Sequence, residues 1–272
     1  MNDSQKIVIG KITEILDQDS RVLAAWLEGS LARKEEDDCS DIDLWISVKD
    51  KYFDEFIDER EAFAAKVGSV LSVLYPKTFD QPDELDSFQV IFEDQPLTLT
   101  LDVDVQKHTR KFRFTKDSAA QECKVLFDKG GVIEWKPFNP VEVETYAREV
   151  FDDVVLRFWH RLPKVLAYAQ RNDFLEAMAQ YMQRLEELVT LYRVLYTPEK
   201  VDWGFKDIEY DLPEEEVKAV YELLPTAKMN ARTIKKDVHH LAKTFAKFSH
   251  TLSKRLHAEL PEALSERVLK EL

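Results

Sequence analysis

Two aspartates separated by one residue, Asp41 and Asp43, stand directly before an apolar run at residues 44–48. If that run is a strand, both carboxylates lie on one face, because alternate side chains of a strand point the same way. Two adjacent carboxylates repel each other unless a cation lies between them, and Mg²⁺ prefers oxygen ligands of this kind. The spacing therefore predicts a divalent-metal site, although solvated strand ends also produce Asp-x-Asp.

A second polar feature comes just before the aspartates. The apolar residues 22–27 predict a strand, which leads into Gly29 and Ser30. Glycine lets the backbone approach a ligand closely, and Ser30 is suited to cap a short helix that begins at Leu31. Because a helix N-terminus presents free N–H groups to anions, these residues predict a phosphate-binding turn that faces the carboxylate pair.

The pattern of Gly29-Ser30, ten further residues and then Asp41-Ile42-Asp43 resembles the signature of the polymerase-β-like nucleotidyltransferase superfamily. The flanking residues resemble those of the antibiotic nucleotidyltransferases that act on aminoglycosides or lincosamides. Lys34 is a departure, since many relatives have glycine there. With the helical periodicity beyond residue 140, the resemblance implies an α+β fold. We expect an N-terminal nucleotidyltransferase domain with a mixed β-sheet flanked by helices, followed by a C-terminal α-helical bundle.

Residues 97–105 alternate between apolar and polar side chains and predict a strand whose buried face includes Leu97 and Leu99. The resemblance implies that a strand of this kind carries the third carboxylate of the metal site. Asp102 and Asp104 both lie on its polar face, and the sequence does not fix the strand register, so either can complete the site. An exposed face with alternating threonine and aspartate is the purely structural alternative.

The resemblance implies an enzyme that transfers a nucleoside monophosphate, with AMP expected, from ATP or another nucleoside triphosphate to a hydroxyl of a small acceptor. Asp41, Asp43 and Asp102 would hold two Mg²⁺ ions, and Asp104 is the alternative catalytic carboxylate. The expected nucleotide-binding residues are Gly29, Ser30, Arg33, Ser40, Arg157, Arg161 and Lys164. A protein-nucleotidylating enzyme of regulatory or toxin-like type, and a catalytically silent nucleotide-binding module, are the alternatives.

Two groups of charged residues in the second half have more than one interpretation. Arg157, Arg161 and Lys164 are four and three residues apart and share one face of a predicted helix. That face can neutralise the outer phosphates, or its arginines can form ion pairs with Asp153 and its neighbours. Glu186 and Glu187 flank an apolar stripe, where one of them can contact a polyamine acceptor or both can face solvent.

Two prolines and a change of periodicity at residues 136–140 predict a boundary between a catalytic domain, residues 1–137, and a helical substrate-binding or closing domain, residues 138–272. Helical spacing predicts helices at residues 4–16 and 52–74 of the first domain. In the second domain it predicts helices at residues 141–159, 174–195, 213–224, 234–252 and 261–272. Pro163 is expected to kink or interrupt the chain.

The net charge of −14 argues against a nucleic-acid partner and agrees better with a cationic acceptor, while acidity that serves solubility alone is the alternative. No membrane-spanning run or signal peptide is evident, and the two cysteines, Cys39 and Cys123, fit a reducing cytoplasm. Cys39 has no metal-ligand partner at a recognised spacing and is interpreted as a bystander. The expected partners are the acceptor and the nucleoside triphosphate, with no nucleic acid and no membrane; a homodimer is the assembly considered.

Overall fold

A computed structural model of the 272-residue chain describes residues 2–33, 37, 40–76, 83–110, 113–118, 120–225 and 230–272. The chain forms two compact units, Met1–Phe138 and Asn139–Leu272, which divide one residue beyond the predicted boundary. The first unit combines helices with a mixed sheet, and the second is helical. This architecture confirms the predicted α+β class.

The described part of the first unit contains four α-helices: α1 (Asp3–Gln18), α2 (Gly29–Arg33), α3 (Phe53–Asp58) and α4 (Arg60–Val67). A short 3-10 turn at Asp50–Tyr52 precedes α3. The strands are β1 (Val22–Leu27), β2 (Ile42–Val48), β3 (Val70–Leu74), β4 (Leu85–Phe92), β5 (Thr100–Lys107), β6 (Arg113–Thr115), β7 (Lys124–Asp128) and β8 (Glu134–Lys136).

Six strands form one sheet in the order β3-β4-β5-β2-β1-β7, while β6 and β8 pair separately. The central pair β2 and β5 is parallel, and the other neighbours in the large sheet are antiparallel. Ile42, Leu44 and Leu101 are buried in a core that includes apolar residues of α1, α3 and α4. The alternate residues of β2 and β5, among them Asp43 and Asp102, therefore lie on the opposite face of the sheet.

The prediction of one helix at residues 52–74 was wrong. Phe53, Phe56 and Phe63 do lie on helices, but α4 ends at Val67, and Gly68 adopts an extended conformation. An added Cβ at Gly68 would lie 2.9 Å from a ring carbon of Phe92, so the glycine permits close packing where the chain turns. The following apolar residues form β3, whose spacing also satisfied the helical pattern.

The predicted strand at residues 97–105 begins later than expected, because β5 starts at Thr100. The N–H of Leu99 donates to the carbonyl oxygen of Pro96 at 2.9 Å, which closes a turn ahead of the strand. Leu99 is buried as predicted, whereas Leu97 is 70% exposed and does not belong to the buried face. The loop proline thus delays the start of strand pairing.

The second unit contains α5 (Pro140–Gln170), α6 (Phe174–Tyr196), α7 (Ile208–Asp211), α8 (Glu214–Glu222), α9 (Ala231–Leu256) and α10 (Glu262–Glu271), with a 3-10 segment at Pro198–Trp203. α5 runs through Pro163, so the predicted interruption is absent, whereas the alternative of a kink stays a prediction. Pro163 is exposed between the buried Leu162 and Val165, so packing of the buried face holds the helix across the missing N–H. None of the helices described here combines the length and apolar character that a bilayer crossing requires.

Candidate active site

Three predicted metal ligands converge at the sheet face. Parallel pairing of β2 and β5 places Asp43 opposite Asp102, while Asp41 directly precedes the first residue of β2. One carboxylate oxygen from each of Asp41, Asp43 and Asp102 lies within 4.8 Å of the others, and all three residues are partly buried. The structure therefore brings these carboxylates together, and their role as metal ligands stays a prediction.

Asp104 lies two residues beyond Asp102 on β5, opposite Trp45 of β2. Its Oδ1 accepts a hydrogen bond from the Ser87 hydroxyl. Burial raises the pKa of Asp104, and the Ser87 hydrogen bond and the Arg110 guanidinium oppose that shift. Of the two candidates on β5, Asp102 is the one that the register places beside Asp43.

Asp102 has the features expected of a cation ligand. Gln89 Nε2 donates to its Oδ2 at 3.0 Å, but its Oδ1 is buried with no hydrogen-bond partner in the described part of the chain. Burial raises the pKa of Asp102, and the charge of Asp41 adds to that effect. An unsatisfied buried acceptor costs about 1–3 kcal/mol. A cluster of carboxylate oxygens that includes such an unsatisfied atom fits the ligand preference of Mg²⁺, and a bound ion would interact with that oxygen.

Gly29 allows this cluster to form. It has a φ of +65°, and an added Cβ would lie 1.9 Å from Asp43 Oδ2. The preceding Glu28 N–H donates to the Asp43 carbonyl oxygen at 3.0 Å, so the backbone after β1 stays against β2. α2 begins at Gly29 rather than at Leu31. Ser30 therefore lies in the first turn instead of capping the helix, which corrects the predicted boundary.

Glu28 is an acidic residue of this face that the sequence interpretation missed. Trp26 Nε1 donates to Glu28 Oε1 at 2.9 Å. Burial raises the pKa of Glu28 to about 7, and the neighbouring Asp104 and Asp43 carboxylates also raise it. The signal was present in the sequence, because an acidic residue that continues the alternation of a buried strand directly before Gly-Ser faces the same way as the predicted metal ligands.

The other predicted nucleotide-binding residues of the first unit have different surroundings. Arg33 is partly exposed at the end of α2. The Ser40 hydroxyl donates to Asp37 Oδ1 at 3.0 Å and accepts from the Asp37 N–H at 3.0 Å, so its contacts are with a neighbouring residue of the chain. Contact of either residue with nucleotide stays a prediction. Lys34 and Cys39 lie outside the described residues.

In the second unit, Arg157 forms the ion pairs that were the alternative interpretation. Its guanidinium pairs with Asp153 and, through Nε at 3.0 Å, with Glu187. Arg161 and Lys164 are exposed. Phosphate binding by the stripe Arg157, Arg161 and Lys164 stays a prediction.

The two glutamates at 186 and 187 differ. Glu187 is buried, and Arg184 Nε lies 2.6 Å from its Oε2. Burial raises the pKa of Glu187, and Arg184 and Arg157 oppose the shift. Glu186 lines a cavity of about 620 Å³ and lies against Gly204, where an added Cβ would be 2.2 Å from Glu186 Oε1. The acidic residues that line this cavity are Glu149, Asp153, Glu186, Glu187 and Asp202, and the basic ones are Arg157 and Arg184.

Comparison with known proteins gives the chain a family. An aminoglycoside 6-adenyltransferase from Bacillus subtilis, of known structure, is 17% identical and superposes with a TM-score of 0.40 over 100% of this chain and 97% of that chain. No curated protein sequence matches. The family model of streptomycin adenylyltransferase matches residues 1–272, which confirms the predicted resemblance to antibiotic nucleotidyltransferases. Because this match spans the whole length, the chain belongs to the streptomycin adenylyltransferase family.

Proposed function

We propose that this adenylyltransferase transfers AMP from ATP to a hydroxyl of a small cationic acceptor of the aminoglycoside class, with Mg²⁺ held by Asp41, Asp43 and Asp102. The convergence of these three carboxylates carries the proposal, and the buried Oδ1 of Asp102, which has no hydrogen-bond partner in the described part of the chain, supports it. Family membership supports nucleotidyl transfer to an antibiotic. The net charge of −14 supports a cationic rather than an anionic acceptor.

In the proposed reaction, the acceptor oxygen forms a bond to the α-phosphorus of ATP while the bond to pyrophosphate breaks. Mg²⁺, when bound, would neutralise charge on the phosphate oxygens. Gly29 and Ser30 would bind the outer phosphates through backbone N–H groups and the hydroxyl. Asp102, or else Asp104, would accept the proton that leaves the attacking hydroxyl. Most of the rate acceleration would come from positioning and electrostatic stabilisation.

We place recognition of the acceptor's positive groups at the cavity of the helical unit. Its lining contains five acidic and two basic side chains, so it favours ammonium or guanidinium groups. Glu187 already accepts hydrogen bonds from two arginines, whereas Glu186 lies against Gly204, which has no side chain. Glu186→Gln should therefore raise the KM for the acceptor and leave the KM for ATP unchanged. An unchanged acceptor KM would show that Glu186 does not contact the acceptor.

The reaction is tested with ATP labelled at the α-phosphate, Mg²⁺ and a panel of streptomycin, other aminoglycosides and lincosamides. We expect label on an aminoglycoside and no label with Asp41→Asn. Asp54→Asn changes an exposed carboxylate on α3 and serves as the matched control that should retain activity.

Full activity of Asp41→Asn would refute the assignment of the metal site. Label on a protein instead of a drug would favour the protein-nucleotidylating alternative. Binding of ATP without transfer to any acceptor would favour a catalytically silent module.

A further inference from the structure

Asp41 is held differently from the other members of the carboxylate cluster. Asp43 lies inside β2 and Asp102 inside β5, so pairing between these strands fixes both backbones. Asp41 precedes Ile42, the first residue of β2, and lies outside the register of paired residues. Contacts other than sheet pairing must therefore hold the backbone that leads into Asp41.

Gln5, in the first turn of α1, makes such contacts. Its Nε2 donates to the carbonyl oxygens of Asp37 at 3.1 Å and Ser40 at 2.9 Å. Its Oε1 accepts from the Asn2 N–H at 2.8 Å, which is half of a capping box. Gln5 is fully buried, and both of its amide protons are used. A buried carboxamide therefore joins the start of α1 to the segment before the metal site.

Because the peptide bond is planar, the hydrogen bond to the Ser40 carbonyl oxygen affects the backbone position of Asp41. The carbonyl that Gln5 holds belongs to the peptide group between Ser40 and Asp41, and that group is planar. Fixing its oxygen also fixes the direction of the Asp41 N–H and the position of the Asp41 Cα. Hydrogen bonds between Asp37 and Ser40 hold these two residues together, and the Asp37 carbonyl lies within reach of the same carboxamide.

We propose that Gln5 is a positioning residue for Asp41, and that its carboxamide sets the peptide plane that carries Asp41 into the carboxylate cluster. The inference rests on the proposed function, because it takes Asp41 to be a metal ligand. Groups that orient metal ligands typically change metal affinity by about 10–100-fold when they are replaced. Loss of Gln5 should therefore weaken metal binding without removing any ligand.

The test measures Mn²⁺ binding to the metal-free full chain by electron paramagnetic resonance. Gln5→Met keeps the length and burial of the side chain and removes both donors. Asn2→Ala is the matched control, since it removes the Asn2 Oδ1 that accepts from the Gln5 N–H at 2.9 Å but leaves the Gln5 carboxamide contacts. We expect binding about tenfold weaker in Gln5→Met and unchanged in Asn2→Ala, although both should lower Tm. Saturating Mg²⁺ should restore most of the transfer rate of Gln5→Met.

Wild-type Mn²⁺ affinity in Gln5→Met, or an equal loss in Asn2→Ala, would overturn the proposal. Gln5→Asn covers the case in which Gln5→Met does not fold, because it keeps a carboxamide that is one methylene too short to reach both carbonyls. It should show the same loss of affinity, and a wild-type value would refute the positioning role. Failure of the proposed function is distinguishable, since wild-type chain would then bind no Mn²⁺ or Asp41→Asn would bind it normally.

Discussion

The two units arrange buried charge in opposite ways. The sheet face of the first unit collects carboxylates, and burial raises the pKa of three of them, Glu28, Asp102 and Asp104. In the helical unit, by contrast, buried acids are matched by cations. Glu187 contacts two arginines, and Asp211 pairs with Arg193 at 2.9 Å and Lys200 at 2.6 Å.

We interpret this difference as one between charge that would bind the proposed metal and charge that stabilises the fold. Like charges gathered in a partly buried site lower stability until a cation binds. Removal of one partner from a buried, hydrogen-bonded ion pair instead destabilises the fold, because the other charge is left buried without compensation. Replacing a buried charged side chain by an uncharged one should therefore raise stability in the first unit and lower it in the second. The predictions below test that contrast.

The largest effect is expected for Asp102→Asn. We expect transfer to fall by about 10³-fold, because several kcal/mol of transition-state stabilisation depend on the metal site. Without metal, the same change should raise the free energy of unfolding, since it removes a charge next to Asp41 and keeps an acceptor for Gln89. Rate assays and urea denaturation in EDTA measure the two effects. A less stable metal-free variant would contradict the comparison.

Arg193→Met should have a large effect of the other kind. Arg193 is fully buried, and its Nε also donates to the Gly204 carbonyl oxygen at 2.9 Å. Its loss leaves the Asp211 carboxylate with one cation fewer, so we expect a loss of about 3–5 kcal/mol in urea denaturation. Arg267→Met is the control, because the Arg267–Glu271 pair is 76% and 61% exposed and should contribute about 0–1 kcal/mol. Equal losses in both variants would argue against the role assigned to burial.

Gly29→Ala tests whether the carboxylate cluster depends on a missing side chain. The new methyl group would collide with Asp43 Oδ2 at a positive φ, so Asp43 must move. A ligand displaced by about 1 Å can reduce turnover by about 10²-fold. Gly10→Ala is the control, since a Cβ added there in α1 would have nothing within 4 Å, and it should stabilise by about 0.5–1 kcal/mol. Normal turnover of Gly29→Ala would show that the cluster tolerates the displacement.

The smallest effect concerns pH. The pKa of Glu28 rises from an ordinary 4.5 to about 7 in the folded chain, so the folded state keeps a proton that the unfolded state releases. Its contribution to stability is thus present below pH 4.5 and is lost as the pH rises to about 7. In EDTA, Glu28→Gln should match the wild type at about pH 4 and exceed it by ~2–3 kcal/mol at about pH 8.

Asp211→Asn is the counterpart in the helical unit and should be less stable than the wild type at about pH 8, because it breaks the ion pairs with Arg193 and Lys200. Thermal denaturation across the pH range measures both variants. Stabilisation by both substitutions would contradict the proposed difference between the two units in how buried carboxylates affect stability.

Local patterns predicted the helical unit well and the sheet less completely. The apolar stripes of α6 and α9 repeat within a few residues, so the sequence alone indicates those helices. Residues 52–74 show the limit, because the spacing of Phe53, Phe56 and Phe63 continued into Val70 and Val73 although Gly68 ends the helix.

For the candidate site, the spacing of Asp41 and Asp43 predicted two of the carboxylates that the structure brings together. The choice between Asp102 and Asp104 depended on a parallel register between segments far apart in the chain, which no local pattern contains. The partners of Arg157 likewise depend on packing between α5 and α6, and those contacts form only in the folded unit.

Parallel pairing of β2 and β5 also has a consequence for the order of folding events. Two parallel strands need a long connection, and here α3, α4, β3 and β4 all lie between them in the chain. Closure of so long a loop comes at a high entropic cost before its contacts form. A chain that has not completed this step lacks the Asp43–Asp102 neighbourhood and therefore lacks the proposed metal site. On the proposed function, Mg²⁺ should slow unfolding more than it accelerates folding, because the site that would bind the ion forms only when both strands are paired.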